Sequence, residues 1–324
     1  MRMPSSLKTA ILFLCVWSAL GAAGEQSPGP RSDALRKHGL DPASSLESRV
    51  GKTPAAVLKM FADAGEAMPT AHDLTAAERR ELSAAFAALP PLHRRILGER
   101  LRAVSFLDGM PNTALTSTIN PDEPYRLFDI TIRAGVLGEN VSEFLTQKER
   151  SCFDTTGSSL NVFIEAGTLE AIVYVLLHEA THVVDSSLGI SPNLRHGDRP
   201  TDGSPASSFA DGVWSERTIV APQYRDTLLQ RVSFRPGGEI LAIDRAEAVY
   251  AALRRTPFVS LYGSSNWHDD LAESVTWLHL TGKLKQPYRI VGRDAGRETF
   301  VYEPMRSPIV RKRLDQMERF FEGR

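Results

Sequence analysis

Apolar and polar residues alternate from Leu127 to Ile132 (LFDITI), the period of two expected of a half-buried strand. A second short strand is expected over Asn161 to Ile164. Elsewhere the period is helical. Thr53 before Pro54 places a cap ahead of a proline at the first helical position and opens a helix to about Ala67. Thr75 and Glu78 form a capping-box pattern before AERRELSAAFAAL, and a third helix is expected over Leu92 to Val104. Gly167 and Thr168 open a helix to about Ser187. Others are expected over Asp244 to Leu253 and over Trp267 to Leu280, the latter closed by Gly282. Pro308 starts a last amphipathic helix to about Phe321. Between Leu188 and Asp211 the chain is rich in Pro, Gly, Ser and Asp without a period, the texture of a binding or mobile loop.

These elements predict an α+β fold, mostly helical, with a small sheet beside the helix that ends near Ser187. Arg2 and Lys8 precede an apolar run from Ala10 to Ala23 that ends in small residues, so residues 1–24 are expected to be a secretory signal peptide. Residues 25–50, rich in Gly, Pro and Ser, are expected to be a flexible linker. Residues 51–115 form an N-terminal helical region, and 116–324 a larger domain.

Composition adds mainly exclusions. In 324 residues, 42% hydrophobic and 24% charged is the balance of an ordinary globular chain. A formal net charge of -1 supplies no basic field for nucleic acid. No second apolar stretch approaches membrane-spanning length, so no membrane association is expected after signal removal. Of the 2 cysteines, Cys15 lies in the signal, which leaves Cys152 alone and no internal disulfide expected.

The chemistry concentrates in VYVLLHEATHVVD, Val173 to Asp185. On a helix, His178 and His182 stand one above the other and can each offer an imidazole nitrogen to one Zn2+ ion. Glu179, one step round, is placed to act as general base on a water at the ion's open position. A third ligand must come from elsewhere. Asp185 lies about 10.5 Å along the axis from His178 at ~1.5 Å per residue, too far to share the ion, and is expected to orient the His182 ring or cap the site. In NWHDDLAESV, Asp269 and Glu273 share a helix face while Asp270 points elsewhere.

HEATHVVD followed by YGSSNWHDDLAE resembles the catalytic domain of the anthrax lethal factor group of gluzincin metallopeptidases, over the motif helix and about Tyr262 to Leu280. The resemblance implies a zincin-like fold for 116–324, an acidic zinc ligand on the second helix, and a tyrosine ahead of it. Carried onto this sequence, Tyr262 is the oxyanion donor, Asn266 the matching asparagine, Asp269 the metal ligand and Glu273 the supporting acid. The family has glutamate where Asp269 stands. Aspartate is one methylene shorter, so the helix must approach by about 1.5 Å; failing that, Glu273 is the alternative ligand.

The expected function is a secreted or periplasmic zinc metallopeptidase with a peptide or protein substrate lying along one of the two expected strands. Two rivals belong to other classes: a catalytically silent zinc-bound scaffold or recognition module, and a metal-free helical binding protein. The intact Glu179 speaks against the scaffold, because holding zinc needs no general base.

Overall fold

A computed structural model describes residues 29–65, 67–192, 207–315 and 317. The expected signal peptide therefore lies outside the described residues, as do 193–206 of the irregular segment and the end of the last helix. Helix and strand are mixed, about 47% to 20%, in keeping with the expected α+β class.

Two helices dominate the centre. The motif helix, Ala171–Leu188, is buried on nearly every face from Ala171 to Asp185, as befits a segment apolar all round. It begins at Ala171 rather than at Gly167, which has φ 85°. It stops at Gly189, whose left-handed φ of 62° lets its N–H return to the Asp185 carbonyl at 2.8 Å. Against it packs the acidic helix, Trp267–Gly282, buried from Leu271 to Trp277.

One face of the motif helix meets helices Ala76–Ala88 and Pro91–Arg100. The first carries the Thr75/Glu78 capping box in full. The second ends at Arg100, and the chain passes directly into a strand, Leu101–Asp108. The helix expected to reach Val104 is thus four residues too long, because the apolar positions of LRAVSFLD serve a strand. Thr53 does not cap its helix either; Pro54 holds that position before Ala55–Asp63.

The larger sheet contains β1 (Thr70–Ala71), β2 (Leu101–Asp108), β3 (Ala114–Thr118) and β4 (Phe128–Arg133), in the order β1-β2-β4-β3. β4 runs parallel to β2 and antiparallel to β3. It was expected to be half-buried, but it lies inside the sheet and is buried from Phe128 to Ile132. Thr131 and Asp129 find partners there: Ser105 Oγ at 3.1 Å, and the Arg102 guanidinium with Nε at 3.1 Å. The expected boundary at 115/116 cuts through β3 and is withdrawn, since the sheet joins residues on both sides of it. Leu160–Glu165 belongs to a separate sheet with Arg289–Asp294 and Arg297–Tyr302, two strands without a counterpart in the sequence reading.

The expected linker is also corrected. Pro30–His38 is a helix with proline in its first turn and Gly39 as left-handed cap, and Ala34 and Leu40 pack on Leu127. Arg49, buried, donates to the carbonyls of Leu97 (2.9 Å), Leu101 (2.6 Å) and Gly98 (2.9 Å). Gly98 and Leu101 are acceptors at the helix end, and the Leu97 carbonyl also takes the Leu101 N–H, so one arginine pins the segment to the domain. Among the described residues, no helix is long and apolar enough to cross a membrane.

The C-terminal helix, Pro308–Leu314, is tied to the acidic helix. Arg313 grips Asp270 through Nη1–Oδ1 at 2.7 Å and Nη2–Oδ2 at 2.5 Å, and Trp214 Nε1 donates to Oδ2 at 2.7 Å. Asp270 is 0% exposed, so removing the arginine leaves a charge stranded in the core. Arg313→Ala is expected to lower stability by about 3–5 kcal/mol, read as a lower urea midpoint. An unchanged midpoint would contradict the anchoring role.

Candidate metal centre

His178 and His182 project from one face of the motif helix with their rings 4.9 Å apart and nearly perpendicular, at 81°. The acidic helix brings Asp269 to meet them. Its Oδ1 lies 3.5 Å from Nε2 of His178 and 3.5 Å from Nε2 of His182. The other oxygen, Oδ2, accepts from Asn266 Nδ2 at 2.6 Å and Ser265 Oγ at 3.2 Å. Asn266 also caps the helix, accepting from the backbone of His268 at 3.0 Å and Asp269 at 3.1 Å. One side chain therefore both starts the helix and fixes which Asp269 oxygen faces the histidines. The first turn of a helix also favours a negative charge there.

Behind His178 stands Glu273. Its Oε1 meets His178 Nδ1 at 3.0 Å and takes the Tyr174 hydroxyl. Its Oε2 accepts from Ser260 Oγ at 2.7 Å and Trp277 Nε1 at 3.3 Å. These bonds orient the imidazole with Nδ1 toward the Glu273 carboxylate and Nε2 toward Asp269. Glu273 is thus on the far side of the ring from the place where the three donor atoms meet. The acidic helix comes this close to the Tyr262–Ser264 turn because residue 263 is glycine. A Cβ there would sit 3.3 Å from that of Glu273.

The trio His178, His182 and Asp269 has all its donor atoms within 4.8 Å of one another. A tetrahedral ion with bonds of ~2.0–2.1 Å holds its ligands roughly 3.3 Å apart, close to the 3.5 Å measured from Asp269 to each imidazole. Two imidazoles and one carboxylate suit zinc better than an all-oxygen ion. The residues present therefore fit such an ion, and the shorter aspartate reaches without Glu273 taking its place.

Charge is arranged accordingly. Burial opposes protonation of His178, but hydrogen bonds to Asp269 and Glu273 and the charge of Glu179 push it up to about 9. Burial also opposes ionisation of Asp269, yet the two imidazoles hold it well below the usual carboxylate range. Burial, then the charges of Asp269 and Glu179, keep the Tyr262 phenol far above its ordinary value and so protonated. Its ring lies 5.6 Å from that of His178.

Glu179 is 8% exposed at the mouth of the centre. Its Oε2 accepts from Thr116 Oγ1 at 2.7 Å, and the same hydroxyl reaches the Glu179 carbonyl at 3.2 Å. Thr116 lies on β3, the outer strand of its sheet. Sequence reading missed both: ALTST is short and lacks large alternating residues. β4, expected as a substrate-binding edge, is interior, and β3 is the open edge beside the centre. Asp185 is also reassigned. Its carboxylate accepts from Ser191 N at 2.6 Å and contacts His268 Nδ1 at 3.0 Å rather than the His182 ring, so it secures the chain after the motif helix. Cys152 is buried, and burial pushes its thiol up, which suits an inert side chain.

Comparison of the chain with protein-family models, curated proteins and solved structures gave no significant match.

Two outcomes test the centre. Glu273→Gln is expected to weaken divalent-metal binding about 10–100-fold, and Asp269→Ala, which removes a donor, to weaken it more; equal, negligible effects would contradict the assignment. The second concerns protons. With His178 at about 9, the metal-free protein holds that proton at pH 7, whereas a ligand imidazole must be neutral. Metal binding should therefore release a proton at pH 7, and affinity should climb with pH until about 9. For the metal-free protein the sign is opposite: stability from this raised group is complete below ~6.5 and fades as pH rises through about 9. Calorimetry in buffers of different ionisation enthalpy reads the proton count, and zero protons released at pH 7 would refute the charge arrangement.

Proposed function

We propose that the protein is a zinc-dependent metallopeptidase with a zincin-like fold of the gluzincin type, exported from the cytoplasm. The observation that carries the reading is the meeting of His178 Nε2, His182 Nε2 and Asp269 Oδ1 beside a separately held carboxylate, Glu179. Metal storage or a structural site needs the trio but has no use for that fourth group at the mouth. The resemblance of HEATHVVD and YGSSNWHDDLAE to the anthrax lethal factor group supports the same reading, and Arg2, Lys8 and the apolar run after them support export.

Zinc, when bound by His178, His182 and Asp269, supplies Lewis acidity and lowers the pKa of water there. Glu179 takes the proton of the attacking water and later delivers it to the leaving amine. Thr116 keeps its carboxylate oriented for both transfers. Tyr262, held protonated, donates a hydrogen bond to the substrate carbonyl oxygen as charge develops on it. The free edge of β3 offers backbone donors and acceptors to an extended peptide, which would lie across the mouth beside Glu179.

Glu179→Gln is expected to retain zinc and to lose about 10²–10⁴-fold in kcat, read by elemental analysis and by cleavage of a broad peptide library. Zinc retained by the wild type with no peptide cut would instead make the protein a zinc-bound scaffold. Failure to take up zinc at all would remove both metal readings.

A further inference from the structure

Two cavities flank the centre and meet at Glu179 and Tyr262. One, of about 480 Å³, lies toward His182 and carries Arg217 together with Asp185, Asp269 and Glu179. Three carboxylates there stand against one guanidinium. The other, of about 600 Å³, lies toward His178 and is different. Its wall carries two cations, Lys148 and Arg133, and one acid, Glu179. That acid already accepts from Thr116.

The placement of both cations follows from the fold. Helix Val141–Arg150 buries Phe144 and Leu145, and Lys148, one turn after Phe144, shares that inward face. A surface lysine usually extends its ammonium into water. Here Nζ stands 3.5 Å from the centroid of the Tyr262 ring, with Tyr174 at 5.8 Å and Phe234 at 5.9 Å. Arg133 ends β4, next to the open strand, and its Nε is buried without a hydrogen-bond partner. Among the described residues neither cation is within ion-pair distance of a carboxylate; Glu149 and Glu273 feel the charge of Lys148 only at longer range.

A half-buried ammonium and a guanidinium with an unsatisfied donor are costly to leave unpaired. A carboxylate satisfies both, since it accepts from a guanidinium in two parallel bonds and attracts an ammonium as a point charge. A neutral side chain leaves them as they are, and a basic one adds repulsion. We propose that this cavity is a subsite for a carboxylate-bearing residue of the substrate, bound beside the scissile bond. The inference rests on the peptidase reading. It adds a substrate class: peptides with an acidic side chain, or a chain-terminal carboxylate, on the Lys148 side of the cut.

The test uses short N-acetylated alanine peptides in which each position in turn is Glu or Gln, prepared as C-terminal amides and as free acids. Binding is measured by calorimetry to zinc-loaded Glu179→Gln protein, and cleavage by the wild type. One Glu position is expected to bind about tenfold more tightly than its Gln counterpart and to be cut with correspondingly higher kcat/KM. A preference within the amide series identifies a side-chain carboxylate; a preference confined to free acids identifies the chain terminus. Lys148→Met and Arg133→Met should each reduce the Glu-over-Gln ratio toward one, and Lys148→Arg, which keeps the charge, should restore most of it. Cleavage with no acidic preference, or a preference that survives both methionine variants, overturns the subsite and leaves the peptidase reading intact. Acid-selective binding without cleavage of any peptide removes the peptidase reading alone.

Discussion

A carboxylate shut away from water holds the two central helices in register. Glu273, 1% exposed, receives the Tyr174 hydroxyl and His178 Nδ1 from the motif helix, and Ser260 and Trp277 from its own side. An ionised carboxylate in such a place is tolerable only because its lone pairs are used and a cationic ring faces it. Burial works against its charge, yet the contacts with His178 bring it down to about 2. The same bonds choose the tautomer of His178 and aim Nε2 at Asp269. Lose this carboxylate, and both the helix pairing and the alignment of the first imidazole lose their fixing point.

Around that node the charges look incomplete in the protein alone. Asp269, Glu273 and Glu179 all act on His178; His182 also faces Asp269, and the charge of Lys148 reaches Glu273. Against its burial, hydrogen bonds to Asp269 and Glu273, ahead of the charge of Glu179, raise the affinity of His178 for a proton. In the neighbouring cavity the balance is reversed, with Lys148 and Arg133 on its wall against one acid, Glu179. Metal on one side and substrate carboxylate on the other would neutralise both, with Tyr262 standing between them under the Lys148 ammonium.

The motif helix was legible because everything it needs is local. An apolar run and two histidines one turn apart lie between Val173 and Asp185. The acidic helix was legible for the same reason, since its closing Gly282 is local and spacing alone puts Asp269 and Glu273 on one face; the cap by Asn266 was not read. Partners brought from far along the chain left no such trace. Thr116 meets Glu179 across 63 positions, and Arg313 meets Asp270 across 43, pairings that no periodicity encodes. LRAVSFLD misled because its apolar residues continue the preceding helix pattern, and only pairing with β4 makes it a strand. The segment from Pro30 to Arg49 read as a linker because its composition is polar. Its order comes from one arginine satisfying carbonyls at the end of a distant helix.

X-ray absorption at the zinc edge on the metal-loaded protein reads whether one zinc ion is held between His178, His182 and Asp269. One ion per chain is expected, in a shell of about four light atoms at roughly 2.0–2.2 Å, with the scattering signature of two imidazoles and no sulfur. A six-coordinate shell of oxygen alone, without imidazole, would contradict it.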